Sequence, residues 1–410
     1  MLNLINLPQP NSLDDKLDPP LGLMYIAAVL KKSGMPVKIT DLCFVDKKDW
    51  KEAIGYADIY GITVFSSSLY LAKEIAQIAK ENNPKCITVV GGPHPTSLPY
   101  DTLEFFDCVV KGEGEFTFSL PKESIMTMPL IEDLDILPLP ARDLVDLHRY
   151  TRKVFGEKAT SITTSRGCPY KCAFCCKDVF GHKVRYFSIE RVVEEIKSII
   201  KDYGIRNFIF YDDTFALNRN RVYALCEELR KLNIIFRCNG DARRNTERDF
   251  RILYDAGCRE IAFGIESGSQ EILDRINKGV SVQQNRLAIQ NAKKTGLCVK
   301  AFLMIGNPGE SVKTIEETKR FMKEANPDQY TLFNFVPLPG CDIWKNPDKY
   351  GVRIVNKNFK NYYNIAGQNE GGCVVESDTL TRDSMAKLRQ DLLLSLGEQR
   401  GQLQDYYARR

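Results

Sequence analysis

The chain has 410 residues, 43% hydrophobic and 27% charged, which is ordinary for a globular protein and long enough for two or three domains with their own cores. A net charge of only +4 makes no case for nucleic acid or an anionic membrane as partner, and no apolar run approaches the ~18–20 residues of a membrane span. Met1-Leu-Asn-Leu-Ile-Asn6 is too short and uncharged for a signal peptide, so the thirteen cysteines read as thiols and metal ligands in a reducing cytosol.

Residues 1–120 alternate strands with helices. Leu2–Leu7 is an apolar strand, and Pro19-Pro-Leu-Gly22 opens a helix from Leu23 to Lys32 that Gly34 stops. Val37–Leu42 and Ile59–Phe65 are the next strands, and Ser66, Ser67 and Ser68 cap a helix running to Ala79. Cys86–Val90 runs into Gly91-Gly92-Pro-His94-Pro-Thr96, and Cys108–Lys111 ends at Gly112-Glu-Gly114-Glu115. The pattern predicts a doubly wound parallel sheet, whose ligands bind beyond the strand carboxyl ends, where these polar and Gly-rich loops fall. His94, between two prolines, is suited either to a backbone hydrogen bond or to a ligand contact. Residues 121–158, with Pro121, Pro129, Pro138 and Pro140, read as a stiffened linker, with one helical turn in Asp143–Tyr150.

Arg166-Gly-Cys-Pro-Tyr-Lys-Cys-Ala-Phe-Cys-Cys-Lys177 places Cys168, Cys172 and Cys175 in a C-x3-C-x2-C spacing. Three thiolates in eight residues can wrap one face of a cubane iron–sulfur cluster and leave its fourth iron without a protein ligand. Gly167 and Pro169 hold the segment in a loop so that the thiols converge. A zinc site would show a second C-x2-C pair or paired Cys and His, and only His182 is near. Cys176, directly after Cys175, leaves open which of the two is the third ligand.

Residues 159–336 repeat strand and helix. The predicted strands are Thr160–Ser165, Asn207–Tyr211, Ile234–Cys238, Ile261–Ile265, Val299–Ile305 and Gln329–Phe335. Between them fall helices from Ser188 to Ile200, Asn218 to Leu232, Thr246 to Ala256, Ser281 to Lys294 and Ser311 to Glu324. Six strands and five helices make a partial (β/α)6 barrel with its site at the strand carboxyl ends. Those ends carry Asp212-Asp213, Asn239-Gly-Asp241-Ala-Arg243, Gly264-Ile-Glu266-Ser-Gly268, which would let backbone approach a ligand closely, and Met304-Ile-Gly306-Asn-Pro-Gly309. Adjacent carboxylates call for a cation or donor, and the alternative for Asp212-Asp213 is a solvated acidic turn. Arg243 suits a bound carboxylate, or a structural pair with Asp241 or Asp249. Residues 337–410 form an extension with a helix from Leu380 to Leu396; Gly371-Gly372-Cys373 is a turn or a substrate contact.

The three-cysteine loop, with Phe174 before its third cysteine, resembles that of the radical S-adenosylmethionine (SAM) enzymes. Pro19-Pro-Leu-Gly22, Gly91-Gly-Pro-His94 and Lys111-Gly-Glu-Gly114 resemble phrases of the cobalamin-binding domain at the N-terminus of many of them. The resemblance implies a 4Fe–4S cluster on Cys168, Cys172 and Cys175 whose open iron is chelated by SAM. It implies that Asp212 and Asp213 meet the SAM amine, in place of the usual Gly-Gly-Glu, and that Asn239, Asp241, Arg243 and Lys278 lie near its carboxylate or the substrate. Glu266 would accept from the ribose, with Phe174, Met304 and Gly306 beside the adenine. Cobalamin would meet Ser66, Ser67, Ser68, Gly91, Gly92, His94, Gly112 and Gly114. The D-x-H-x-x-G signature is absent, so a bound cobalamin would be base-off with water or nothing beneath the cobalt.

By the same resemblance the enzyme is cytoplasmic, takes electrons from a flavodoxin or ferredoxin, and methylates an unactivated carbon of a small molecule. One SAM would supply the methyl and a second the 5′-deoxyadenosyl radical. The alternatives are a radical rearrangement, cyclisation or oxidation without methyl transfer, and a non-catalytic cluster or cobalamin carrier. The polar strand ends argue against a carrier, which needs no ammonium or ribose pocket.

Overall fold

The computed structural model describes residues 1–9, 12, 14–117, 124–244, 246–362 and 373–397. It divides into two compact units. The first comprises Met1–Arg152 with two returning segments, Cys176–Arg185 and Asn358–Tyr362. In chain order it holds β1 (Leu2–Asn6), α1 (Leu21–Lys32), β2 (Val37–Asp41), α2 (Trp50–Ile54), β3 (Ile59–Thr63) and α3 (Leu69–Asn82). These are followed by β4 (Ile87–Gly91), α4 (Pro93–Ser97), α5 (Tyr100–Leu103), β5 (Cys108–Lys111) and β6 (Ser124–Thr127).

The strands form one parallel sheet in the order β2-β1-β3-β4-β5-β6. Alternate residues of β1 and the loop after it serve opposite faces, as a pleat dictates. Leu2 and Leu4 pack with Leu23, Ala27 and Leu30 of α1, whereas Ile5 and Leu7 pack with Ile54 of α2 and Ala72 and Ile75 of α3. Both faces are covered, which is why the strands read as apolar runs. Five strands were expected here; Ser124–Thr127, inside the stretch read as linker, supplies a sixth by pairing with β5. Two short turns of 3-10 helix, Arg142–Leu144 and Leu147–Arg149, replace the single helical turn expected after it.

The second unit comprises Lys153–Cys175, Tyr186–Lys357 and the described residues beyond Tyr363. Its strands begin with β7 (Lys153–Val154), β8 (Glu157–Ile162) and the two-residue β9 (Ser165–Arg166); β10 (Arg185–Tyr186) follows the cysteine loop. Then come α6 (Ile189–Tyr203), β11 (Asn207–Phe210), α7 (Arg219–Lys231), β12 (Ile235–Asn239), α8 (Glu247–Asp255), β13 (Cys258–Glu266) and α9 (Gln270–Arg275). The barrel ends with α10 (Val282–Lys294), β14 (Cys298–Ile305), α11 (Val312–Ala325) and β15 (Gln329–Asn334). The sheet order is β15-β14-β13-β12-β11-β8-β7, six parallel strands and the antiparallel β7, a sheet with two edges rather than a closed barrel.

Local chemistry fixes the helices. The Ser188 hydroxyl accepts from Arg191 N–H at the start of α6; Val192, Ile196 and Ile199 are buried, and Gly204 ends the helix at φ 68°. Asn218, Thr246, Ser281 and Ser311 cap α7, α8, α10 and α11 in the same way. On β13 and β14 the alternation separates two faces. Val299, Ala301 and Leu303 are fully buried and Phe263 meets Phe250 of α8 edge-on, 5.9 Å between ring centres, so this face looks toward the helices. Gly264 lies on the other face, where an added methyl would meet the Glu266 carboxylate and the Lys278 ammonium.

The extension contributes α12 (Asp342–Lys345), an antiparallel pair β16 (Val352–Ile354) and β17 (Val375–Ser377), and α13 (Arg382–Leu396). Helix α13 packs on α11, and Tyr330 at the edge strand donates its hydroxyl to Gly397 O at 2.5 Å. Gly371 and Gly372 lie outside the described residues. No helix among the described residues is long and apolar enough to cross a membrane.

Candidate functional site

The cysteine loop is pinned by backbone hydrogen bonds and by the Asn277 side chain. Ala173 N–H donates to Ile276 O at 2.8 Å, Ile343 N–H donates to Ala173 O at 3.1 Å, and Asn277 Nδ2 donates to Lys171 O at 2.7 Å. A turn closed by Cys175 N–H to Cys172 O at 3.1 Å carries the last two thiols of the motif, and Gly167 at φ 90° starts the loop. The loop is thereby held to the residues after α9 and to the start of α12. Cys168 is buried with its sulfur 3.3 Å from Thr214 Oγ1; Cys172 and Cys175 are half-buried. Burial pushes the Cys172 thiol up, with Lys278 pulling the other way. Cys176 belongs to the first unit, where its sulfur lies 3.4 Å from Ser97 Oγ.

Beside the loop, the end of β13 places Glu266 in the left-handed region at φ 62°, a conformation that costs about 1–3 kcal/mol for a residue with a side chain. Its carboxylate pairs with Lys278 at 2.7 Å, and the Lys278 ammonium lies 5.7 Å from the centre of the Phe174 ring. Burial draws the Lys278 ammonium down, but Glu266 and then Cys172 outweigh it and leave it raised. Phe174, Glu266, Lys278 and Cys172 therefore form one neighbourhood. At the end of β12, half-buried Asn239 precedes Asp241, which accepts from the Tyr170 hydroxyl and from Arg243 at 2.8 Å. The Arg243 guanidinium stacks 3.5 Å from the Tyr170 ring centre and donates to the carbonyls of Lys278 and Gly279. Of its two expected partners Arg243 takes Asp241, and Asp249 takes Arg219 instead. Tyr170, missed in the sequence, ties the loop to this strand end; its place two residues after the first cysteine was the available signal.

Three expectations change. Asp212 and Asp213 do not act as a pair. Asp212 is buried and accepts from Thr164 N–H at 2.6 Å, Thr164 Oγ1 at 2.5 Å and Ser165 Oγ at 2.6 Å, whereas Asp213 is exposed. Asp212 is thus a brace between neighbouring strand ends; burial raises its pKa and the three donors partly offset that. Gly268 does not open room for a ligand, because a methyl there would meet Thr318 Cα at 2.6 Å and Phe321 Cβ at 2.5 Å of α11. Ser68 turns inward onto the backbone of Phe65 and is fully buried.

At the end of β14, half-buried Met304 leads into Gly306, whose φ of 89° and closeness to Met385 of α13, 2.9 Å from an added methyl, exclude a side chain. The turn is folded around Glu310, which accepts from Gly306 N–H at 2.6 Å, Asn307 N–H at 3.2 Å and Asn307 Nδ2 at 3.0 Å. Burial pushes Glu310 up to about 7.

In the first unit the expected loops gather at the carboxyl ends of β3, β4 and β5. Gly92, at φ 104°, brings its backbone so near β3 that an added methyl would stand 2.9 Å from Thr63 Oγ1 and 3.0 Å from Val64 N. Thr96 links two loops, donating to Gly92 O at 2.7 Å and accepting from Gly112 N–H at 3.1 Å. Ser66 Oγ is 2.9 Å from His94 Nδ1, and Ser67 reaches Gln9 at 3.4 Å. His94 is 1% exposed, its Nε2 has no partner, and burial lowers it to about 4, so the ring is neutral. Gly91 and Gly114 flank these ends; between Gly112 and Gly114, Glu113 is internal and holds Arg185 at 2.5 Å.

These residues fit the groups expected of them. Among the described residues, no three His, Cys, Asp or Glu side chains converge on one ion. A cubane takes its thiolates at separate iron corners, so three sulfurs on one pinned loop suit it. The cradle at Gly92 and the unpartnered His94 nitrogen suit a large polar cofactor.

Family comparison agrees. Residues 162–322 match the radical SAM superfamily and residues 18–121 the B12 binding domain. An uncharacterised methyltransferase of Pyrococcus horikoshii is 35% identical over 381 residues, covering 85% of this chain and 82% of the relative. An anaerobic magnesium-protoporphyrin IX monomethyl ester cyclase of Rubrivivax gelatinosus is 28% identical over 388 residues, covering 84% and 68%. The radical SAM methyltransferase TsrM of Kitasatospora setae, solved with cobalamin and a [4Fe–4S] cluster, shares the fold at a TM-score of 0.71 and 15% identity, covering 96% of this chain and 90% of that one. Two modules, a cobalamin-binding sheet and a radical SAM partial barrel, thus define an enzyme whose cofactors are a 4Fe–4S cluster, SAM and cobalamin. The chain belongs to the cobalamin-dependent radical SAM methyltransferase family.

Proposed function

We propose that this enzyme places a methyl group on an unactivated carbon of a small molecule. The observation that carries the reading is the pinned three-thiol loop standing beside the Glu266–Lys278 pair and Phe174. When bound, the cofactors supply reductive cleavage of a sulfonium to a 5′-deoxyadenosyl radical and a transferable methyl group.

The chain's own residues bind and orient. Cys168, Cys172 and Cys175 would hold the cluster. Glu266, locked at its strained φ by Lys278, accepts from ribose hydroxyls, while Phe174, Met304 and Gly306 flank the base. Asp213, Asn239 and the Asp241–Arg243 pair address the amine and carboxylate of SAM. Holding reactants within such a fixed frame, and keeping water out, supplies much of the barrier reduction in radical chemistry. In the first unit, Ser66, Ser67, Gly91, Gly92, His94, Gly112 and Gly114 face cobalamin. His94 is neutral, with Nδ1 at Ser66 and Nε2 unpartnered, so it would offer the cofactor a contact through Nε2. Thirteen cysteines without a disulfide suit a cytoplasmic setting, with electrons drawn from a flavodoxin or ferredoxin.

Anaerobic reconstitution with iron, sulfide, cobalamin, SAM and dithionite tests this. The expected products are 5′-deoxyadenosine and, with substrate, transfer of isotopic label from the SAM methyl. Absence of 5′-deoxyadenosine sinks the enzyme reading. Its formation with label-free product selects the second reading, a radical cyclisation, which the cyclase relative favours.

A further inference from the structure

Lys278 is registered onto the cysteine loop through the two residues before it. Ala173 N–H donates to Ile276 O at 2.8 Å and Asn277 Nδ2 donates to Lys171 O at 2.7 Å, so both neighbours of Cys172 are held by the turn that leads into Lys278. Asn277 makes that turn at φ 51°. The backbone of Lys278 is itself fixed on both sides, its N–H donating to Leu273 O at 2.9 Å and its carbonyl accepting from Arg243 Nη2 at 2.6 Å. From there the side chain brings its ammonium to 5.7 Å from the Phe174 ring centre and 2.7 Å from Glu266 Oε1.

The pair is enclosed, the Lys278 side chain 15% exposed and that of Glu266 11%. It lies against bare backbone of β13, because a methyl on Gly264 would stand 2.6 Å from Glu266 Oε1 and 2.8 Å from Lys278 Nζ. It is also directional. Lys278 lowers the Cys172 thiol more than Glu266 raises it, which puts the ammonium end of the pair nearer the sulfur. The neighbouring cation, Arg243, is balanced by Asp241 at 2.8 Å. An ion pair so enclosed is screened far less than one in water, and its positive end acts strongly on a charge close by.

We infer that Lys278 tunes the reduction potential of the cluster: its ammonium, aimed at the Cys172 corner, stabilises the negative charge that reduction adds there, and Glu266 attenuates the effect. The inference rests on Cys172 being a cluster ligand, and it gives the Glu266–Lys278 pair a task beyond the ribose. Reduction brings one electron from the external donor and makes or breaks no bond at the protein, so the pair acts through its field alone. Local charge is among the determinants of cluster potential, and a cation beside a ligating sulfur raises it, bringing the cluster within reach of a milder donor.

The test is a redox titration of the cluster-loaded full chain, followed by electron paramagnetic resonance before SAM is added. Lys278→Met should make the cluster about tenfold harder to reduce, a midpoint about 59 mV more negative for one electron. Lys278→Arg should stay near the wild type, and Glu266→Gln should move the midpoint the opposite way, because it leaves the cation uncompensated. A purely structural role for the pair would shift Lys278→Met and Glu266→Gln in the same direction. Shifts of one sign, or an unmoved midpoint in Lys278→Met with full iron content, overturn the inference. Should Lys278→Met lose its iron, Glu266→Gln decides alone: a more positive midpoint supports the inference, and an unmoved or more negative one overturns it. Full iron content in Cys172→Ala counts against the ligand assignment, and a missing 5′-deoxyadenosine signal against the functional reading, whereas fixed midpoints count against the tuning alone.

Discussion

Cys175 and Cys176 are neighbours in sequence, and the contact between the Cys176 sulfur and Ser97 Oγ at 3.4 Å supports the proposal of Cys175 as the third sulfur ligand. With Cys176 engaged by Ser97, replacing Cys168, Cys172 or Cys175 by Ala should abolish the brown colour and iron content of reconstituted protein. Cys176→Ala should retain both; a colourless Cys176→Ala protein would reverse the assignment. The spacing alone left two adjacent thiols as candidates, and the preference for Cys175 draws on Ser97, far away in the chain. Asp212 and Asp213 teach the same lesson. As a dipeptide they look equivalent, and only the three donors from Thr164 and Ser165 distinguish brace from ligand. Asp212→Ala should therefore destabilise the protein by about 3 kcal/mol in urea denaturation, since it leaves buried donors without acceptors. Asp213→Ala should leave the denaturation midpoint within error and weaken SAM binding about tenfold by calorimetry, the loss of one charge-assisted contact. The opposite pattern would return Asp212 to the SAM amine.

At the scale of elements, most of the barrel was readable because α6, α8 and α11 repeat apolar residues at helical spacing and open on Ser or Thr caps. What escaped was tertiary. The strand β6 hides among prolines and exists through its pairing with β5. Gly268 looks like a ligand-facing glycine until α11 is seen against it. The turn after β14 reads as Gly-rich, yet its organiser is the carboxyl group of Glu310. Its folded pKa of about 7 lies above the ordinary carboxylate range, with burial as the main cause. Such a group stabilises fully below its unfolded value and loses that contribution as pH rises through about 7. The wild type should thus lose on the order of 3 kcal/mol between pH 5 and 8 from this group, and Glu310→Gln should flatten that slope. A Glu310→Gln protein whose denaturation midpoint keeps the wild-type pH dependence would show that the turn does not titrate.

Chain order does not map simply onto the two units. The first unit is assembled from three stretches of chain, and the last, Asn358–Tyr362, arrives after the second unit's seven-stranded sheet is complete. Phe359 meets both the buried His94 ring, at 4.9 Å, and the Tyr362 ring, at 5.0 Å, edge-on, while Lys360 sits over Tyr70 at 4.3 Å. Phe359→Ala should lower the first unit's stability by about 1–3 kcal/mol and raise hydrogen exchange around His94 and Ser66; unchanged exchange there would mean that the segment is ornamental. The sequence offered no hint of this return, because a five-residue segment carries no periodicity.

A consequence follows for anyone wishing to graft this module elsewhere. A gene fragment cut after residue 152 would omit Cys176–Arg185, and with it the guanidinium that neutralises Glu113, as well as the aromatic cover of His94. Swapping the front half between homologous enzymes therefore requires a three-piece transplant, and recombination at a single crossover would leave chimaeras with an ill-fitting patchwork of parental surfaces.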